Sequence, residues 1–384
     1  MSEGGKNYFH SLDALRFFAF VKVFIFHIPL IFVAAEEPLM AWYSDHIRHG
    51  GGVGVSFFFT LSGFLIAYIL TTEKLKTGTI NIRRFLMRRG LRIWPLYYLG
   101  VLLALLIPYE IAQTIGFHTN WGGYDPDWRF SLFFLENYKS LIMDLSPKTT
   151  PLPVFWSLCI EIQFYLVWMI VVFFIRRKAI PYFMLIAIVA SWFFRIYSNS
   201  FWDNEIIVNN DLFTNMDYFA ISGLLGYVVA VNRQRVSEFV MRIPVWIQWV
   251  YLIAVLLLMF NLKTVFMHDL WWLNLFKFTI QAVIFTLVIL LFIPQKSIVK
   301  ISDKSILTKL GKLSYGLYVY HIIWIHVLFR IYRDHEIVLD NWMNYFSFMF
   351  ITFVGTVITA YVSYRFFEKP ILLLRERMKL KKEG

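Results

Sequence analysis

Residues 53–72 read VGVSFFFTLSGFLIAYILTT, a run of twenty residues without a charged side chain. Crossing the hydrocarbon core of a bilayer takes about 20 apolar residues, so this run predicts a transmembrane helix. Nine further segments share its apolar character, which predicts an all-α membrane protein of about ten transmembrane helices. The ten segments lie near 9–34, 53–72, 94–108, 153–175, 181–198, 212–231, 245–262, 272–293, 313–332 and 343–367.

The composition favours a membrane bundle over a soluble fold. Hydrophobic residues make up 59% of the 384 residues and charged residues only 16%, whereas a soluble domain carries roughly 25% charge. No polar stretch is long enough to form a second fold. We therefore expect a single transmembrane domain spanning residues 1–384.

The formal net charge of +12 raises the question of nucleic-acid binding. Lysine and arginine fall mostly in alternate loops, which is the asymmetry that sets membrane orientation, and they form no continuous basic face. This pattern predicts no nucleic-acid partner, both termini in the cytoplasm and a location in the inner membrane. The first segment carries Asp13, Arg16 and Lys22 and no cleavage site, so it does not resemble a signal peptide.

Residues 75–93 alternate basic and apolar side chains, which predicts an amphipathic helix along the cytoplasmic membrane face. On composition alone, binding to lipid headgroups is its simplest role. On the other side, the loop at 109–152 is the only extracytoplasmic segment long enough to shape a binding surface. Cys159 is the single cysteine, so neither an internal disulfide nor a multi-cysteine metal site is expected, and we predict no metal.

Arg16 and His27 lie 11 residues apart in the first segment, on one helical stripe but about 16 Å apart along the axis. An ionisable group inside a membrane helix is costly and needs a partner or a task. A histidine there can take a proton from an alcohol near neutral pH. The alternative is structural: His27 hydrogen-bonded in the bundle and Arg16 paired with Asp13 one turn earlier.

Further candidates occur at two other helix ends. Glu161, near the outer start of the fourth segment, could orient a histidine or accept sugar hydroxyls, or it could simply face the positive end of its helix dipole. Ser314, Tyr318 and His321 have helical spacing at the start of the ninth segment. Such aromatic stripes are more often packing than function.

Together these stretches resemble the acyltransferase-3 family, membrane O-acyltransferases that modify surface polysaccharides, peptidoglycan and some antibiotics. The likeness covers about residues 9–370. The motifs that carry it are Leu12-Asp13-Ala14-Leu15-Arg16 followed by His27, residues 58–66 (FFTLSGFLI), residues 88–97 (RRGLRIWPLY), Trp156-Ser157-Leu158 with Glu161, Phe164 and Tyr165, Leu313-Ser314-Tyr315 with Tyr318 and His321, and Glu368 with Pro370.

The resemblance implies a catalytic His27 assisted by Arg16, with acyl-CoA, expected to be acetyl-CoA, held on the cytoplasmic side by Arg89 and Arg92. On the same basis we expect Glu161 in the catalytic group. The donor-binding set would also include Arg88, Ser62, Ser314, Tyr318 and His321, and the carbohydrate acceptor would meet Tyr165, Trp156 and Asp217.

Three positions depart from the family pattern. Ile162 stands where relatives often have a second acid, Ser56 where they have Asp, and Asn215 where they have Arg. These departures bear on Glu161 and Asp217 more than on His27. We also expect a stand-alone unit without the hydrolase-like domain that some relatives append.

Several alternatives stay open at this point. His27 could act as a general base or as a nucleophile that forms an acyl-imidazole. The acceptor could instead be a small secreted molecule such as a macrolide. The chain could also be a secondary transporter, although such folds usually show an internal repeat and none is apparent, or a scaffold without chemistry. The sequence does not indicate an oligomeric state.

Overall fold

The computed structural model describes residues 9, 11–30, 38–107, 109–115, 123–202, 209–266, 271–294 and 300–373. Within these ranges the chain is predominantly helical and contains no β-strand, apart from one isolated bridge between Tyr124 and Pro147. The predicted all-helical fold class is therefore confirmed for the described part of the chain.

Ten long helices, numbered α1 to α10, occur in the described residues, one for each predicted segment. They are α1 Ser11–His27, α2 Gly52–Thr77, α3 Ile82–Leu106, α4 Phe155–Phe174, α5 Ile180–Trp202, α6 Met216–Arg242, α7 Val245–Phe266, α8 Trp271–Leu291, α9 Ser314–Asp334 and α10 Trp342–Ser363. Shorter helices lie at Pro38–Tyr43, Tyr109–Thr114, Trp128–Leu132, Glu136–Met143 and Ile306–Lys312.

Not every long helix can cross a membrane by its own length and composition. Among the described residues five helical stretches can, or six if α6 and α7, which meet at a bend of 93°, count as one span. The chain is thus a multi-pass membrane protein, and the count of ten crossings stays a prediction. Both termini lie outside the described residues, so their cytoplasmic location also stays a prediction.

The predicted division between an amphipathic segment at 75–93 and a third span at 94–108 is wrong. Residues up to Thr77 continue α2, which ends at Gly78 with a left-handed φ of 79°. A new helix then starts where the Asn81 side chain accepts a hydrogen bond from the Arg84 backbone N–H at 2.9 Å. It runs unbroken to Leu106 with Pro95 inside it. The basic stretch and the apolar stretch are therefore two halves of α3.

The first and sixth segments also have different ends from those predicted. Helix α1 stops at His27 instead of continuing toward residue 34, because Pro29 disfavours helical backbone at the residue before it. Residues 31–34 lie outside the described part. Helix α6 extends to Arg242, with a break in helical geometry at Asn232 (φ −151°, ψ 77°). Apolar content alone had placed its end near residue 231.

The chain divides into two compact units whose segments alternate along the sequence. The first unit comprises Met1–Phe26, Trp42–Ile80 and Phe164–Ser314, and the second comprises His27–Ala41, Asn81–Gln163 and Tyr315–Gly384. A single domain over 1–384 therefore stays a prediction.

In the first unit, α2 packs closely against α6 through small residues. A Cβ atom on Gly63 would lie 2.4 Å from the Ser222 Oγ and 2.5 Å from the Phe219 carbonyl oxygen, and a Cβ on Gly226 would lie 2.5 Å from the Phe64 carbonyl oxygen. Small residues let membrane helices approach backbone to backbone. The two glycines thus fix the distance between α2 and α6.

We expect Gly63→Ala to destabilise the protein by about 1–3 kcal/mol, because the added methyl group collides with backbone atoms that cannot move aside. Gly52, on the same helix, is the matched control, since a Cβ there meets nothing within 4 Å. Gly52→Ala should leave stability unchanged or slightly raised. Thermal unfolding of the two purified variants in detergent measures the difference, and equal melting temperatures would contradict the close approach.

In the second unit, the loop between α3 and α4 has a small polar core. Glu136 is buried and accepts hydrogen bonds from the hydroxyls of Ser131 and Tyr124, the latter at 3.1 Å. Burial raises the pKa of the Glu136 carboxyl, while the two hydroxyl donors act in the opposite direction. Lys139 caps the cluster, its ammonium 4.4 Å from the centre of the Tyr124 ring. These contacts give the predicted outer loop a defined structure.

Candidate active site

His27, the last residue of α1, faces a second histidine in the second unit. Its Nδ1 lies 3.4 Å from the Nε2 of His321 on α9, and the ring centroids are 5.1 Å apart at an interplanar angle of 62°. His321 is completely buried, whereas His27 is half-buried. The two residues are 294 positions apart in sequence. The fold therefore brings together the histidines of the first and ninth predicted segments.

The hydrogen bonds assign the protons on both rings. The Nδ1 of His321 lies 2.6 Å from the Tyr318 carbonyl oxygen, which can only accept, so this Nδ1 carries the hydrogen. A fully buried ring is more stable uncharged, because burying a charge away from water is costly. The Nε2 of neutral His321 is then an acceptor, and His27 must donate to it from Nδ1. When His27 is neutral, this arrangement leaves its lone pair on Nε2, the nitrogen not used in the contact.

Tyr318, whose carbonyl holds His321, is itself fixed by the start of α4. Its hydroxyl lies 2.6 Å from the Ser157 Oγ and donates to the Val154 carbonyl oxygen at 3.2 Å. Glu161, one turn beyond Ser157, is half-buried and interacts electrostatically with the Tyr318 side chain. Tyr318 and His321, predicted together on the ninth segment, thus lie near His27, and Glu161, predicted on the fourth, interacts with Tyr318.

A third histidine, His326, was missed by the sequence analysis. Its Nδ1 hydrogen-bonds with the Thr150 hydroxyl at the end of the outer loop, and it interacts electrostatically with His27 and His321. His321 and His326 are five residues apart, about 140° around an α-helix, so helical spacing assigns them to different faces. The available signal was the repeated histidine in the sequence YHIIWIH at residues 320–326.

The arginines of α3 in the second unit differ in exposure. Arg88, Arg89 and Arg92, predicted to hold the donor, are half-buried, whereas Arg83 and Arg84 are exposed. Arg92 interacts electrostatically with Glu368, which also accepts a hydrogen bond from Ser363 at 3.2 Å. The half-buried arginines thus differ from an exposed lipid-binding stripe, and Glu368 faces one of them.

Arg16 belongs to the first unit and forms an ion pair with Asp13 at 2.6 Å, with side-chain exposures of 12% and 2%. This contact is the structural alternative anticipated from the sequence. The backbone of Asp13 itself packs against Gly311, where a Cβ would overlap the Asp13 carbonyl group. The assisting role of Arg16 stays a prediction.

Most of the other predicted site residues also lie in the first unit. The Tyr165 hydroxyl donates to the Ser62 Oγ at 3.3 Å, and Ser314 is buried. Asp217 is completely buried, paired with Arg195 at 2.8 Å. That pair gives Asp217 a structural task, and its predicted contact with the acceptor would require the pair to open. Trp156 belongs to the second unit and is half-buried.

No three His, Cys, Asp or Glu side chains are arranged to hold a metal ion within the described ranges. The rings of His27 and His321 are in hydrogen-bond contact through His27 Nδ1 and His321 Nε2. These two nitrogens are therefore not available to bind one metal ion together. The absence of a metal in the functional protein stays a prediction.

Comparison with known proteins bears on the same motifs. Residues 9–361 match the family profile described as an acyltransferase domain. The peptidoglycan O-acetyltransferase OatA of Listeria monocytogenes is 30% identical over 42% of this chain and 24% of its own length. YrhL of Bacillus subtilis, provisionally named a peptidoglycan O-acetyltransferase, is 31% identical over 42% of this chain and 23% of its own length.

A provisionally named O-acetyltransferase of Staphylococcus aureus (strain COL) is 25% identical over 94% of this chain. The alignment covers 57% of that relative, so the chain spans little more than half its length. No solved structure matches significantly. The family profile covers most of the chain and runs through the residues of both units, from the α1 motif into α10. On this evidence the chain is a membrane protein of the acyltransferase-3 family.

Proposed function

We propose that the protein is a membrane O-acyltransferase that moves an acyl group, specifically acetyl, from cytoplasmic acetyl-CoA to a hydroxyl of a cell-surface or exported carbohydrate. Family membership supports acyl transfer, and the names of the relatives support a carbohydrate acceptor. The observation that carries the proposal is the contact between His27 Nδ1 and His321 Nε2, from which we infer that neutral His27 keeps its lone pair on Nε2 of a half-buried ring.

In the proposed reaction, His27 Nε2 takes the proton of the acceptor hydroxyl as its oxygen attacks the thioester carbonyl carbon. The carbon–sulfur bond then breaks, and the imidazolium returns the proton to the departing CoA thiolate. His321 stabilises the transient imidazolium, because its Nε2 accepts the Nδ1–H hydrogen bond of His27, and such bonds strengthen when the donor is charged. General-base catalysis of this kind contributes typically 10²- to 10⁴-fold in rate.

The nucleophilic version uses the same nitrogen. Nε2 attacks the thioester carbonyl carbon, and CoA leaves as the thiolate. The acceptor hydroxyl oxygen then attacks the acyl carbon, the bond from that carbon to Nε2 breaks, and the hydroxyl proton passes to the CoA thiolate. Mixing enzyme with acetyl-CoA in the absence of acceptor separates the two versions. A burst of CoA release equal to the enzyme concentration supports the acyl-imidazole. Release of CoA only when acceptor is present supports the general base.

The donor is proposed to enter from the cytoplasmic side, where α3 carries Arg88, Arg89 and Arg92. Planar guanidinium groups bind phosphate oxygens in pairs, which suits the phosphates of CoA. Glu368 interacts electrostatically with Arg92. In this proposal the chain crosses the inner membrane ten times with both termini in the cytoplasm.

Mass spectrometry of envelope glycans from cells with and without the gene tests the function directly. We expect O-acetylated glycan fragments to disappear when the protein is removed and to return with the wild-type chain. If a small secreted molecule is acetylated and the glycan is not, the acceptor is that molecule and not a carbohydrate of the envelope. If a sugar is taken up without any release of CoA, the protein is a transporter and not an acyltransferase.

A further inference from the structure

A basic cavity occurs in the first unit, and its lining contains none of the site histidines. It lies where the end of α2 meets the end of α4 and has a volume of about 520 Å³. Its cationic lining consists of Lys74, Arg176, Arg177 and Lys178. Ligand pockets in proteins typically have volumes of about 300–1,000 Å³. The cavity is therefore large enough for a headgroup or a nucleotide fragment.

Lys74 makes the cavity more favourable for an anion by neutralising the negative end of α4. Its side chain is only 7% exposed, and its Nζ donates to the carbonyl oxygens of Val172 and Ile175 at 2.5 Å and of Phe173 at 3.2 Å. The carboxyl end of a helix carries a partial negative charge of roughly half an electron, which on its own would repel an anion. The ammonium group offsets that charge, so the end of α4 no longer opposes anion binding.

The other three cations are available for a ligand. Arg176, Arg177 and Lys178 are exposed, and within the described ranges their side chains form no ion pair or hydrogen bond. Glu73, the acidic residue next to Lys74 in the sequence, is half-buried. A basic loop by itself is the ordinary signature of a cytoplasmic segment. Here, by contrast, the cations border a formed cavity with an apolar wall of Leu75, Phe174 and Ile175.

We infer that this cavity binds a phosphate-bearing amphiphile, with the phosphate on Arg176, Arg177 and Lys178 and the apolar part against Leu75 and Phe174. Two sources supply this chemistry, the headgroup of an anionic phospholipid and the phosphates of a nucleotide. The inference does not depend on the proposed reaction, because it concerns binding at a site built from other residues.

Binding is measured on the full-length protein purified in a neutral detergent. One arm uses native mass spectrometry with added phosphatidylglycerol and, for comparison, phosphatidylcholine. The other arm titrates adenosine 3′,5′-bisphosphate by calorimetry. The test variant is Arg176→Gln/Arg177→Gln/Lys178→Gln. The matched control is Lys304→Gln/Lys309→Gln/Lys312→Gln, which removes the same charge from exposed positions elsewhere in the first unit. Thermal unfolding checks that both variants remain folded.

The wild type is expected to bind at least one of the two anionic probes, more tightly than phosphatidylcholine and with an affinity that falls as salt rises. The test variant should lose on the order of tenfold or more in affinity, since each cation near an anionic group contributes about 1 kcal/mol. The control should stay within about twofold of the wild type. Binding of the lipid or of the bisphosphate identifies the source. Wild-type affinity in the test variant, equal losses in the two variants, or no binding of either probe would overturn the inference.

Discussion

Replacing His27 with Ala is expected to lower the rate of acetyl transfer by about 10²- to 10⁴-fold, the usual contribution of a positioned general base. The Nε2 of this residue is the nitrogen of the His27–His321 pair that stays unprotonated and outside their contact. Without it, no group in the pair is placed to take the hydroxyl proton. Transfer of labelled acetyl from acetyl-CoA to glycan fragments, with the protein in lipid nanodiscs, measures the loss.

The control for this experiment is His335→Ala. His335 is exposed just after α9, and among the contacts described its ring bonds only to the Ile331 carbonyl, so its removal should leave the rate within about twofold. Thermal unfolding of both variants separates lost chemistry from lost structure. If folded His27→Ala protein transferred acetyl at the wild-type rate, both the general-base and the nucleophilic versions would have to be abandoned.

The helices could be predicted well from the sequence because membrane insertion requires long apolar runs. Each of the ten predicted segments overlaps with a long helix. The error at α3 has a physical cause: polarity changes abruptly near Trp94, and Pro95 removes one backbone donor, so both signals indicated a boundary. The backbone nevertheless stays helical from Ile82 to Leu106. Composition reports the surroundings of a helix, whereas its ends are set by local features such as Gly78 and Asn81.

The site could be predicted only in part. His27 was identified because an ionisable side chain in an apolar helix needs a reason to be there. Its contact with His321 could not be predicted, because nothing local links residues 294 positions apart. The contact between His326 and Thr150 was missed for the same reason, since it joins α9 to a loop far away in sequence. Tertiary contacts decide which isolated candidates act together.

His321 was predicted from the sequence to bind the donor, whereas its contacts favour a positioning role. In the structure the Nε2 of His321 lies 3.4 Å from the Nδ1 of His27, and its Nδ1 lies 2.6 Å from the Tyr318 carbonyl oxygen. A hydrogen bond to a charged group contributes about 1.5–3 kcal/mol. We therefore expect His321→Leu to lower kcat by on the order of tenfold to a hundredfold, with KM for acetyl-CoA unchanged.

His321→Gln provides the matched variant, because a glutamine side chain can present an oxygen near the former Nε2 and accept the same hydrogen bond from His27. It should recover part of the kcat that His321→Leu loses. If His321 had a purely structural role, the two variants would instead lose similar amounts of kcat. Steady-state kinetics over a range of acetyl-CoA concentrations separates the two assignments. A rise in KM for acetyl-CoA at constant kcat would show that His321 binds the donor, as the sequence suggested, and that the tautomer of His27 is fixed by something else.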